Sequence, residues 1–211
     1  MPAVTLKTLR RLVYDRLENN STWYGLAEVD DAVNEGIAVL NMWTGLFQRT
    51  VTMYSKANRV IYDTPQGILL PIRIDYEGKT LTPIGLQNMG LAYKDWMKQT
   101  TSQQGSTVGE WVALGISKFA MRPVDSYGGR AITVTGVYEP APLENESDVI
   151  QLPQESDIVD YAAHILTLPE GGTAFNQSMP VFESFLSGVK TVTLYKSLKA
   201  RAASATERTR N

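Results

Sequence analysis

Acid–base chemistry in this chain would have to start at one imidazole. His164 is the single histidine, and Asp160 stands four residues before it. That spacing places two side chains on one side of a helix, and a carboxylate–imidazole pair can serve as a general base. A helical wheel, however, turns both toward the polar flank, away from Ile158 and Ile165, so a solvated surface pair is expected. A hydrolase would also need a nucleophile, and no Gly-x-Ser-x-Gly elbow occurs.

Carboxylates gather at Glu144, Glu146, Asp148, Glu155, Asp157 and Asp160. A calcium site needs such oxygens, but the spacing is not that of an EF-hand loop and no glycine stands at its sharp turn. The expectation is a solvated loop and helix start. Gly128-Gly129-Arg130 is too short to cradle a phosphate and reads as a hairpin turn, and no P-loop or dinucleotide fingerprint is present. Trp23, Tyr24, Trp43, Trp96 and Trp111 are dispersed among elements, which suits core or interface anchors better than a stacking platform. The expected catalytic, cofactor-binding and metal sets are therefore empty, and the chain is expected not to be an enzyme.

Apolar and charged content are ordinary for a soluble globular protein. The 211 residues carry a formal net charge of -2, too little for an overall pull toward DNA or an anionic membrane. Cysteine is absent, which removes disulfides and thiolate metal sites and fits a reducing cytosol. The opening MPAVTLKTLRRLVYDRL has no apolar core of secretory length, so no signal peptide is expected. No run approaches the roughly 20 apolar residues of a membrane helix.

Elements follow from periodicity. Leu6, Leu9, Val13 and Leu17 recur at helical spacing; Leu26, Val29, Val33, Ile37, Leu40 and Phe47 form a second stripe, with Glu28, Asp30 and Asp31 suiting its early turns. From about Gln48 the period drops to two. Val51 and Met53, then Val60 and Tyr62, then Ile72, Ile74 and Tyr76 alternate with polar or outward positions, and Leu81 and Ile84 continue a return strand. Leu86 to Lys98 suits a short helix and Gln99 to Gly109 a loop. Trp111 to Leu114, Ser117 to Met121 and Arg130 to Tyr138 read as three further strands. Glu139 to Asp157, rich in proline and acid, reads as a return segment. Ile158, Ala162 and Ile165 then mark a helix ended by Gly171-Gly172. Pro180 suits the first turn of a last helix carrying Phe182, Phe185, Leu186, Val189 and Val192. The predicted class is α+β: a helical bundle formed by N- and C-terminal helices with an inserted antiparallel β lobe. The expected divisions are 1–47, 48–138, 139–198 and a basic tail, 199–211.

The tail carries the clearest functional signal. Large apolar residues stop at Leu198. From Val189 onward the cations are Lys190, Lys196, Lys199, Arg201, Arg208 and Arg210 against one acid, Glu207, a net +5 before the terminal carboxylate. Alanine gives the segment helix propensity, but it has nothing with which to reach its own core. It is either a solubilising extension or a segment ordered by a partner.

Several features together resemble the head-to-tail adaptors of tailed bacteriophages, including the A-type tail tubular proteins of short-tailed phages. They are the Asn34-Glu35 step in the second helix, the strand through Leu70-Pro71-Ile72-Arg73-Ile74, and Ile132 to Tyr138 running into Glu139-Pro140-Ala141-Pro142-Leu143. Leu152-Pro153 then leads into a helix with Asp160-Tyr161-Ala162-Ala163. The resemblance covers most of the chain by order and spacing. It implies a connector of the virion neck, assembled in the host cytoplasm as a ring, commonly a dodecamer. Its partners would be the portal protein, a tail or nozzle protein, further copies of itself and the genomic DNA passing through the channel, with no membrane. Tyr195, Lys196, Lys199, Arg201, Arg208 and Arg210 are the portal-docking candidates under that reading. The alternatives are a carboxylate-dependent hydrolase and a nucleic-acid-binding protein using the basic tail. The mass of the assembled particle separates a ring from a monomeric enzyme.

Overall fold

The computed structural model describes residues 3–17, 23–92, 95–98, 108–115 and 117–208, with side chains at all of these except 92 and 194–208. The chain is α+β. It divides into a helical unit, Met1–Thr44 with Pro140–Asn211, and a β unit, Gly45–Glu139.

The helical unit contains strand β1 (Ala3–Thr5), helices α1 (Leu6–Arg16) and α2 (Leu26–Thr44), and later β10 (Val149–Gln151), α4 (Glu155–Thr167) and α5 (Gly172–Arg208). Thr5 caps α1, its hydroxyl accepting from the Thr8 amide at 3.2 Å. The free amides of the first α1 turn are met by the return segment: Leu6 donates to the Asp148 carbonyl and Lys7 to that of Glu146. The α1 stripe, Leu6, Leu9, Val13 and Leu17, is buried throughout. In α2, Val29, Val33, Ile37 and Leu40 are buried, but Leu26 in the first turn is exposed. Phe47 lies past the helix end, because the Thr44 hydroxyl turns back to the Leu40 carbonyl at 2.6 Å and Gly45 takes a left-handed φ of 56°.

Two sequence expectations change here. The proline- and acid-rich return contains a short strand that periodicity did not mark, Val149–Gln151, paired antiparallel with Ala3–Thr5. Three-residue strands are too short to show a period. Pro180 does not open the last helix. It lies inside α5, which begins at Gly172.

The β unit has two four-stranded sheets. One is ordered β2 (Gln48–Tyr54), β9 (Ala131–Val137), β4 (Leu70–Tyr76), β5 (Lys79–Thr80); the other is β3 (Arg59–Asp63), β8 (Lys118–Asp125), β7 (Glu110–Ala113), β6 (Thr82–Pro83). Pairing is antiparallel except for the short β6–β7 contact, which is parallel. The strand that begins as β5 leaves the first sheet and joins the second as β6, with the junction, Leu81, 2% exposed. A core of Tyr62, Ile74, Tyr76, Trp111, Phe119, Ile132 and Val134 fills the space this creates. Helix α3 (Leu86–Ala92) and the turn of 3₁₀ helix at Trp96–Lys98 replace the single helix expected over 86–98; Met89 and Trp96 join Val60, Val112 and Val124 in a second core.

Gly136 fixes how closely β9 and β4 approach. A Cβ there would lie 2.4 Å from both the Leu70 carbonyl oxygen and Ile68 Cγ2. Gly136→Ala is therefore expected to cost about 1–3 kcal/mol, because a backbone group must yield. Urea unfolding monitored by tryptophan fluorescence checks this.

Candidate functional site: the polar core and an acid-rimmed groove of the helical unit

Helix α4 packs against α1, α2 and α5. Nine of its thirteen residues are buried, so it has no solvated flank. This overturns the surface placement expected for His164 and Asp160, which are 6% and 2% exposed. The wheel assumed one covered side, and α4 is covered on several.

Nor do the two residues pair. The Asp160 carboxylate meets the Arg16 guanidinium of α1 at 2.7 Å. His164 Nδ1 lies 3.0 Å from Ser178 Oγ of α5, and the imidazole stacks on Phe182 with centroids 4.6 Å apart. A serine beside a histidine suggests a nucleophile and its base. Here, however, the Ser178 hydroxyl donates to the Phe175 carbonyl at 2.9 Å, leaving Nδ1–H of the imidazole to donate to Ser178. A base would need a lone pair on that nitrogen. Burial lowers the His164 pKa, which favours the neutral ring. The arrangement is a satisfied contact between α4 and α5.

Asp157 is the residue that pattern reading missed. It is buried against α5 so closely that a Cβ at Gly188 would stand 2.1 Å from its Oδ1. Its Oδ2 has no hydrogen-bond partner among the described residues. Burial, and then the charge of Asp160, push its carboxyl from 3.8 up to about 6. The remaining acids of the stretch are engaged or exposed. Glu146 meets Lys7 at 3.1 Å and Arg10 at 3.5 Å. Asp148 accepts from the Asn145 and Glu144 amides, which hold its carboxyl below the usual range. Among the described residues no three His, Cys, Asp or Glu side chains gather as a metal site.

Asn34 and Glu35 act as a clamp. The Asn34 amide bonds both the amide and the carbonyl of Leu143, at 2.8 and 3.1 Å, tying α2 to the return segment. Glu35 accepts from the Tyr161 hydroxyl at 2.8 Å, and burial with this bond pushes Tyr161 to about 12. In the β unit, Gly128 and Gly129 form the expected turn, with φ of 71° and 74°. Ser55 and Asp125 pin the turn by a buried hydrogen bond, and Ser55 Oγ accepts from the Arg130 amide. Trp96 and Trp111 belong to cores, whereas Trp23 and Trp43 are exposed.

Exposed Trp23 borders a groove of about 500 Å³. Tyr24, Ala32, Ile165, Leu166 and Pro169 make its apolar wall, and Glu28, Asp31, Glu35 and Glu170 make its rim. No cation lines it among the described residues. The Tyr24 hydroxyl donates to Glu170, joining the segment before α2 to the turn before α5. Burial, then Glu170, pushes Tyr24 to about 12. Such a wall with such a rim suits a lysine or arginine side chain, held by the ring face and by carboxylates together.

No protein-family model matches the chain, and no curated protein sequence matches it. The docking candidates Tyr195, Lys196, Lys199, Arg201 and Arg208 fall on the helical backbone of α5, their side chains outside the described set; Arg210 lies outside the described residues.

Two outcomes follow from the polar core. Asp157 holds its proton more tightly folded than unfolded, so its contribution is full below pH 3.8 and is lost as pH rises through about 6. Asp157→Asn is expected to add on the order of 2 kcal/mol at pH 7 and little below pH 4. Paired chemical unfolding of both proteins from pH 4 to 7 reads the difference. His164→Ala, which surface placement would make silent, is expected to cost about 2–4 kcal/mol through the cavity beside Phe182 and the orphaned Ser178.

Proposed function

We propose that the chain is a ring-forming head-to-tail adaptor of a tailed bacteriophage, joining the portal to the tail around the DNA channel. The observation that carries this is α5. It runs for 37 residues, about 55 Å at 1.5 Å per residue. Its buried contacts include Phe185, Val189 and Val192, and beyond them the sequence turns cationic and alanine-rich while the backbone stays helical to Arg208. A helix that outlasts its own apolar stripe is a docking element, and a ring multiplies each modest contact by the number of subunits. The α+β build, with helices from both chain ends and strands between, agrees with the adaptor pattern that the sequence resembles. Two polar residues of α4 agree with a structural role, Asp160 meeting Arg16 of α1 and His164 bonding Ser178 of α5.

The reading assigns the portal, a tail or nozzle protein and further copies of the chain as partners, with the virion neck as the site of action. The experiment is truncation after Leu198. The shortened chain keeps Phe185, Val189 and Val192 and is expected to unfold within about 1 kcal/mol of the full chain. Its joining to portal-bearing heads, scored by gradient co-sedimentation, is expected to fall at least tenfold. Equal joining by both proteins would make the extension dispensable and remove the main support for this function.

A further inference from the structure

We infer that the cationic extension of α5 from one copy docks in the acid-rimmed groove of the next, so that the same pair of surfaces repeats around the ring. This rests on the ring reading and moves the extension's first contact from the portal surface to a second copy of the chain. The groove presents Glu28, Asp31, Glu35 and Glu170 around Trp23 and Tyr24. The sequence of the extension carries Lys196, Lys199, Arg201 and Arg208 with one acid, Glu207, on a helical backbone. Opposite charge of this density on one chain makes the chain its own complement.

Geometry decides against the same copy supplying both. The groove includes Pro169 and Glu170, immediately before α5 begins at Gly172. Lys196 lies 24 residues into that helix and Arg208 lies 36. At 1.5 Å per residue these positions are about 36 and 54 Å from the helix start. A continuous helix cannot bring its far end back to its own beginning, so the contact has to be made in trans. Pairing between two different surfaces is head-to-tail, and such an interface closes into a ring when the rotation permits. The groove admits one or two long side chains rather than a whole helix. The contact therefore consists of lysine or arginine stems laid along Trp23, with their charges on the rim.

Asp31 is the position to test. It has no hydrogen bond or ion pair among the described residues. Glu28, Glu35 and Glu170, by contrast, bond the Gly25 amide, Tyr161 and Tyr24. Two measurements on the full chain are needed. Sedimentation velocity reads the oligomer, and fluorescence anisotropy reads binding of a labelled synthetic peptide of residues 190–211. Asp31→Lys is expected to weaken both at least tenfold, and rising salt to weaken both in the parent protein. Lys199→Glu with Arg201→Glu is expected to weaken assembly to a similar degree. Combining these with Asp31→Lys in one chain is expected to recover most of it, a rescue that a folding defect does not give. A ring that forms equally well with Asp31→Lys, or a peptide that binds portal-bearing heads but not the full chain, overturns the inference. A chain that stays monomeric yet binds the peptide through Asp31 supports the groove and counts against the ring.

Discussion

Enclosure of α4 by α1, α2 and α5 sets the terms for every polar group in the helical unit. A helix with one wet side can leave its ionisable residues to water; α4 cannot, with Asp157, Asp160 and His164 all buried. Desolvation of a charge costs several kcal/mol unless a partner meets it. Each residue finds a different answer. Asp160 keeps a charged partner in Arg16, which fastens α1. His164 stays neutral and bonds Ser178, which fastens α5. Asp157 has Gly188 against one oxygen and, among the described residues, no hydrogen-bond partner for the other, and burial pushes its carboxyl up to about 6. The charge of Asp160, one turn on, adds to burial in disfavouring ionisation of Asp157. The bundle is thus held by polar contacts whose strength depends on protonation, in addition to its apolar stripes.

Helix α5 bears the consequence. Its N-terminal part is fixed by Phe185 and Val189 and by Gly188, whose missing side chain admits Asp157. Beyond Leu198 the sequence of the helix holds alanine, serine, threonine and charged residues and no large apolar side chain. The groove before α5 has the opposite character, being part of the folded body, aromatic and negative. Under the ring proposed above, unlike surfaces would favour assembly in one orientation, since like-charge pairing is penalised wherever two equal ends meet.

How much of this was legible in the sequence depended on the length scale of the signal. Leu6, Leu9 and Val13, and Val29 to Leu40, repeat over enough turns to mark α1 and α2, and alternation in Leu70–Tyr76 and Ala131–Val137 marked β4 and β9. Three-residue β1 and β10 carry no measurable period, so their pairing is fixed only in three dimensions. His164 was misplaced because a wheel reports one helix's composition and not the number of its neighbours. A buried Asp157 has the same sequence appearance as a helix-start acid that favours the dipole, and Gly188, which could have signalled a close approach, reads as an ordinary helix glycine. The groove was invisible for a different reason. Trp23 and Asp31 lie close in the chain, but Ile165, Pro169 and Glu170 come from near its other end, and only the fold collects them.

The cationic extension and the groove illustrate why net charge is a poor guide to binding. At -2 the chain looks electrostatically indifferent. The near-cancellation hides a +5 segment at one end and a four-carboxylate rim elsewhere. Indifference in the total is consistent with the proposed self-assembly, in which each copy would supply both signs. A chain that carried only the positive surface would repel its neighbours and depend on a foreign acid. A chain with both can close on itself first and present whatever remains to the structures on either side.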